Sequence, residues 1–265
     1  MKKRVISAVV MLAVTFICVL LSEVSRVVFF GIIGLVCAYE WCKNLRVREV
    51  HCADWVLYYL FAALTVVTVL HGGAFWYAAV LVSAVMLSMA AGVIQQRVSG
   101  FGAMFTAAGV AYLGILFAAI FAVSVSKIWL QTFALGCIST WVCDSCALFG
   151  GSRFGKHKLA PKVSPKKTWE GSLCGAASAV IVGVILCLLP WYKGAAWWLI
   201  ILAALVASSL GQIGDLAESL FKRMIGVKDS SNLIPGHGGA LDRVDSLLFA
   251  IPTAYFFLRI AGLGV

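Results

Sequence analysis

Two pairs of carboxylates stand three residues apart near the C-terminal end of this 265-residue chain: Asp215 with Glu218, and Asp242 with Asp245. A spacing of three puts both members of a pair on one face of a helix. A further acid, Asp144, sits in the last part of an earlier apolar run. Only 11 Asp and Glu residues occur in the chain, and seven of them (Asp144, Glu170, Asp215, Glu218, Asp229, Asp242, Asp245) fall in or between two segments, 144–171 and 214–245. Like charges side by side at a membrane boundary repel. A carboxylate inside hydrocarbon costs about 2.5 to 3.5 kcal/mol on insertion scales, so such a cluster calls for cations. A divalent metal answers that need: Mg²⁺ prefers oxygen ligands, keeps several waters, and binds through one or two carboxylates plus substrate phosphates. Asp144, Asp215, Glu218, Asp242 and Asp245 are therefore the candidate metal ligands. Mg²⁺ is the expected ion, and a second cation is left open. For any one acid taken alone, the alternative is an ion pair with Lys222, Arg223, Lys228 or Arg243 that fastens helix ends.

The cations suggest phosphate chemistry. The stretch from Arg153 to Lys167 is rich in lysine, and Gly150, Gly155 and Lys156 have the GxxxxGK spacing of a P-loop. A true P-loop follows a strand, opens a helix and ends in Ser or Thr, whereas here His157 takes that place and an apolar helix precedes it. What remains is a glycine-permitted basic turn whose lysines and backbone could hold phosphates, or an ordinary positive loop on the inner face of a membrane. Ser164, Pro165, Lys166, Lys167 and Thr168 lead into the next apolar run, and a helix N-terminus there suits an anion. His237 lies in Pro235–Gly239, PGHGG, a turn that exposes backbone to a ligand just before the second acidic pair. His51 and His71 carry no such context. Cys143 and Cys146 form a CxxC without a second pair, inside an apolar helix, so no metal or redox site is expected there. Nor do the nine cysteines suggest a disulfide framework.

These residues must be positioned by helices in lipid. With 62% hydrophobic and 12% charged residues, the chain departs from soluble composition, in which about a quarter of residues are charged. Nine apolar runs, each long enough to cross about 30 Å of hydrocarbon as a helix, are expected near 5–21, 27–42, 55–70, 74–94, 103–122, 128–149, 172–189, 196–218 and 244–263. The first lacks the exit site of a signal peptide and reads as a spanning helix. The fold expected is therefore an all-α, polytopic bundle of about nine spanning helices, N-terminus cytoplasmic. It divides into N-terminal membrane helices, 1–122, and a C-terminal catalytic part, 123–265, with motif loops at 150–171 and 219–243. With the basic N-terminus inside, only Arg26, Lys127, Lys193 and Arg259 of the 21 basic residues fall outside, as the positive-inside rule requires. The formal charge of +10 is then a feature of one face, suited to anionic lipid headgroups and nucleotides.

The C-terminal segment resembles the signature of phosphatidate cytidylyltransferases, also called CDP-diacylglycerol synthases. Ser219, Lys222, Arg223, Lys228, Asp229, Pro235, His237, Gly238, Gly239, Asp242, Arg243 and Asp245 stand at that signature's spacing. The stretch GKHKLAPKVSPKKTWEG and the run GDLAES are similar to the same family. Two positions depart from the pattern: Cys143 precedes Asp144 where a polar residue is expected, and Ala240 follows two glycines where a larger apolar residue is commoner.

The resemblance implies transfer of CMP from CTP to phosphatidate, Mg²⁺ dependence, a homodimer in the cell inner membrane, and no nucleic-acid partner. It implies Asp215 and Asp242 as principal metal ligands, with Asp144, Glu218 and Asp245 assisting. Lys222, Arg223 and Arg243 would hold phosphatidate or the triphosphate, Lys166 and Lys167 would neutralise the triphosphate or pyrophosphate, and Ser219, Lys228, His237, Gly238 and Gly239 would contact substrate. A transporter would spread its polar groups through bilayer depth, whereas here they gather at one face. A CDP-alcohol phosphotransferase would carry an Asp-Gly-x-x-Ala-Arg run, and the sequence has none. A polyprenol kinase would differ in its products.

Overall fold

The structure, a computed structural model, describes residues 2–234 and 238–264. A helix forms in each of the nine apolar stretches, because a chain in hydrocarbon must satisfy its backbone N–H and C=O groups within itself. They are α1 (Lys2–Leu21), α2 (Glu23–Arg46), α3 (Asp54–Val69), α4 (Ala74–Ile94), α5 (Gly100–Ser124, with a π-helical turn at Val110–Gly114), α6 (Trp129–Phe154), α7 (Trp169–Cys187), α8 (Trp197–Ile225) and α9 (Leu241–Ile260). Among the described residues, α2 and α4 to α8 are long and apolar enough to cross a membrane, while α3 is a shorter apolar helix. Large apolar side chains such as Leu21, Phe75, Val93, Phe149 and Leu188 stand on the surface, where a protein in water would hold few of them in contiguous patches. The chain is an all-α, multi-pass membrane protein. Among the described residues the one sheet is a two-stranded antiparallel hairpin, β1 (Lys158–Ala160) and β2 (Ser164–Thr168).

Two compact units divide the chain. The first comprises residues 1–125 and 224–242; the second comprises 126–223 and 243–265. In the first, α2 buries Cys37, Ala38, Trp41 and Leu45, and α3 buries Val56, Leu57, Leu60, Phe61 and Leu64. The Trp41 indole N–H donates to the Phe105 carbonyl (3.1 Å), tying α2 to α5. Arg26, 5% exposed, donates to the carbonyls of Ser124 (2.7 Å) and Val19 (3.0 Å). A cation at the C-terminal ends of α5 and α1 meets their dipoles. The segment 224–242 of the C-terminal signature belongs to this same unit.

In the second unit, Leu135 of α6, Val182 and Leu186 of α7, Ala203, Ala204 and Ala207 of α8, and Ala250, Ala254 and Leu258 of α9 share one core. Small residues let helices in lipid approach closely where no hydrophobic drive separates protein from solvent. The contact of α6 with α7 shows this. A Cβ at Gly171 would lie 2.6 Å from the Ala147 carbonyl oxygen, one at Gly150 would lie 2.6 Å from the Cys174 side chain, and one at Gly175 would lie 2.8 Å from the Cys143 carbonyl. Thr168 caps α7 by accepting from the Gly171 N–H (3.2 Å), so the hairpin is delivered directly onto the C-terminal end of α6.

Gly171→Leu is expected to destabilise the detergent-solubilised protein by about 1–3 kcal/mol through overpacking, read as a lower melting temperature. Gly73→Ala, where nothing lies within 4 Å, should leave the melting temperature nearly unchanged.

Candidate active site

The last turns of α6 extend past the apolar run to Phe154, so Gly150 and Gly151 are helical and the GxxxxGK spacing builds no loop around an anion. The chain then forms the hairpin. His157 gives its backbone N–H to both carboxylate oxygens of Glu170 (3.2 Å each), and its ring Nδ1 lies 2.7 Å from Oε1. That bracket holds β1 against the first turn of α7. At the end of β2, the Lys167 ammonium meets the Asp215 carboxylate of α8 at 2.6 Å, while Lys166 is exposed.

Asp215 is half-buried. The Ser219 hydroxyl, one turn on, points at Asp215 Oδ1 from 3.4 Å. Glu218, fully buried, forms an ion pair with Lys222, itself only 8% exposed. This pair joins residues four apart on one helix, α8. Asp245 of α9 is 8% exposed, and its Oδ1 accepts from the Ser246 N–H (2.6 Å). It lies within electrostatic reach of Asp215, Asp144 and Lys222, and Asp144 within reach of Lys167 and Asp215. Glycine permits this approach: a Cβ at Gly214 would lie 2.5 Å from the Asp245 carbonyl oxygen. Three carboxylates from three helices therefore converge with two lysines.

A polar relay that no sequence pattern pointed to braces the same helices. Ser172 of α7 donates to Gln212 Oε1 (2.6 Å), and Gln212 Nε2 donates to Cys143 Sγ (3.1 Å). Cys143 is the residue before Asp144, and Gln212 lies one turn before Asp215. The thiol thus fills the position where a polar residue was expected. Arg223, exposed, donates to the Val163 carbonyl between the two strands (3.3 Å), and Arg243 is exposed at the start of α9.

The remaining signature residues belong to the first unit. Asp242 Oδ2 accepts from the N–H groups of Ser230 (2.9 Å) and Gly239 (2.8 Å), and Oδ1 accepts from the Ser230 hydroxyl (3.2 Å). The carboxylate expected to be a principal metal ligand is thus engaged in closing its own loop. Ile234 N–H donates to the Gly238 carbonyl (3.0 Å), and Gly238 takes φ +81°, a conformation open to glycine. Lys228 is exposed. His237, named from sequence as a substrate contact, lies outside the described residues, as do Pro235 and Gly236. Glu40 of α2 holds the far side of this loop, and the sequence reading passed over it. An acid inside an apolar helical run is unusual, and that was the available signal.

A sequence profile described as the cytidylyltransferase family matches residues 2–261. The chain belongs to the cytidylyltransferase family. It is 34% identical over 263 residues to the phosphatidate cytidylyltransferase of Brucella suis biovar 1, covering 97% of this chain and 93% of that protein. It is 30% identical to the phosphatidate cytidylyltransferase of Staphylococcus haemolyticus, covering 95% of this chain and 96% of that protein. Against the Haemophilus influenzae protein of the same name, identity rises to 49% over 125 residues, 45% of this chain and 43% of that protein.

A cytidylyltransferase joins anionic partners, so its site must above all neutralise and position phosphates. Among the described residues no three acidic, imidazole or thiol side chains close into a metal cage. Mg²⁺ does not require one, since waters and phosphates complete its octahedron. Asp144 is exposed and Asp215 is half-buried beneath a lysine, so the oxygen-only donor set of this cytidylyltransferase fits Mg²⁺. Asp215→Asn is expected to lower turnover on the order of 100-fold or more with the melting temperature retained. A folded Asp215→Asn protein of near-normal turnover would remove Asp215 from the chemistry.

Proposed function

We propose that this cytidylyltransferase transfers CMP from CTP to phosphatidate, giving CDP-diacylglycerol and pyrophosphate. The observation that carries the reading is the convergence of Asp144, Asp215 and Asp245 with Lys167 and Lys222 on membrane helices. Both named relatives with near-complete coverage are phosphatidate cytidylyltransferases. A phosphatidate oxygen attacks the α-phosphorus of CTP, the bond from that phosphorus to the bridging oxygen breaks, and pyrophosphate leaves with the electron pair. The attacking oxygen is already ionised near neutral pH, so positioning and charge neutralisation outweigh base catalysis.

In this reading Asp144, Asp215 and Asp245 hold Mg²⁺, which supplies charge neutralisation to the phosphates when bound; a second cation is compatible with three carboxylates. Lys167, released from Asp215, and Lys166 meet the triphosphate or the departing pyrophosphate. Lys222 and Ser219 orient the carboxylates. Arg223 and Arg243 take phosphate oxygens, a task for which the planar guanidinium is suited. In the loop closed by Asp242, Lys228 and the backbone at Gly238 and Gly239 contact substrate. The nine helices cross the bacterial inner membrane with the N-terminus and the acidic helix ends on the cytoplasmic side, where CTP is found, and the enzyme works as a homodimer. The distribution of Lys and Arg supports that orientation.

Purified protein given phosphatidate, Mg²⁺ and either CTP or ATP is expected to release pyrophosphate and form a CDP-lipid with CTP alone. A chelator should abolish turnover and added Mg²⁺ restore it. A nucleoside diphosphate released alongside a phosphorylated lipid would make the protein a kinase instead.

A further inference from the structure

Glu40 is fully buried in α2, and three donors from the segment 224–242 converge on its carboxylate. Oε1 accepts from the Ser231 hydroxyl (2.5 Å) and the Ala240 N–H (2.9 Å), and Oε2 accepts from the Leu241 N–H (2.8 Å). Leu241 opens α9, and the first N–H groups of a helix have no partner inside it. Glu40 supplies that partner from a helix 200 residues away in sequence, and its negative charge meets the positive end of the helix dipole. Two residues past the end of α2, the Arg48 guanidinium Nε donates to the Ile225 carbonyl (2.7 Å), the last residue of α8, where Gly226 at φ +89° ends the helix. A cation therefore sits at the C-terminal end where the loop departs, and an anion at the N-terminal end where it returns.

Gly239 belongs to the same arrangement. A Cβ there would come 2.6 Å from Glu40 Oε1, so the carboxylate reaches the backbone only because this position lacks a side chain. Asp242, on the loop's inner side, takes the N–H groups of Ser230 and Gly239. The loop is thus held by Asp242 from within and by Glu40 from without.

We propose that Glu40 is a positioning residue for the cytidylyltransferase reaction, and that Glu40 of α2 and Arg48 of the turn that follows it clamp the two ends of the signature loop in its working shape. The proposal rests on the reading that this loop takes part in the reaction. Glu40 touches no reacting atom; it acts through Ser231, Ala240 and Leu241.

The test uses full-length Glu40→Ala, Glu40→Gln, Arg48→Ala and Asp242→Asn proteins. For each, the folded fraction, melting temperature, kcat and KM for CTP and phosphatidate, and amide exchange across 228–242 are measured. Glu40→Ala is expected to lose about 100-fold in kcat per folded enzyme, the scale of a misplaced reacting group, with faster exchange at Ala240 and Leu241. Glu40→Gln keeps one acceptor oxygen and should lose only about 10-fold, the scale of one hydrogen bond. Arg48→Ala should also lower kcat. If Glu40→Ala keeps normal kcat per folded enzyme while Asp242→Asn loses it, or loses activity only with its folded fraction, the positioning role is overturned. If Glu40→Ala and Asp242→Asn both keep normal kcat, the loop itself lies outside the reaction and both readings fall.

Discussion

An anionic group at the edge of hydrocarbon must find a donor or a cation, and nearly every arrangement around this site can be traced to that requirement. Asp215 takes the Lys167 ammonium, Glu218 takes Lys222, and Glu170 takes the His157 ring and backbone. Asp242 and Glu40 take backbone N–H groups at a helix start and its loop. These partners are also the kind of group that a phosphate or a metal can displace or recruit. The same electrostatic need that organises these residues also suits them to highly charged ligands.

Close helix approach is the second condition. Carboxylates on three helices converge only if the backbones do, and in lipid that falls to small residues. Gly150, Gly171 and Gly175 bring α6 against α7, and Gly214 brings α8 against the turn of α9 that carries Asp245. The relay from Ser172 through Gln212 to Cys143 then fixes the rotation of these helices at the level of the acids.

Much of this could be read from spacing, because much of it is local. Helices formed over the apolar runs at nearly the expected positions, six of them long and apolar enough to span among the described residues, and the three-residue spacing put Asp215 and Glu218 on one helix. What spacing could not say is which partner each acid takes. Glu218 pairs with Lys222, and Asp242 closes its own loop. The basic stretch hid a hairpin because its strands are short, and the His157–Glu170 contact that braces it joins residues 13 apart. Glu40 escaped notice for the opposite reason: its partners lie 191 to 201 residues downstream, a separation at which no local pattern exists. Glu40, set in an otherwise apolar run, was the only trace.

That separation also has a consequence for the birth of the molecule. Chains emerge from the ribosome at about 5–20 residues per second, so α2 enters the membrane tens of seconds before Ser231 and Leu241 exist. Throughout that interval the Glu40 carboxylate must be served by water, lipid headgroups or the insertion machinery, and α2 cannot settle fully. Because the partners of Glu40 lie 191 to 201 residues downstream, α2 reaches its final state only when the segment 231–241 arrives. A nascent chain stalled before residue 231 would display a buried-site acid without its partners, a feature by which quality control could distinguish an unfinished enzyme from a finished one.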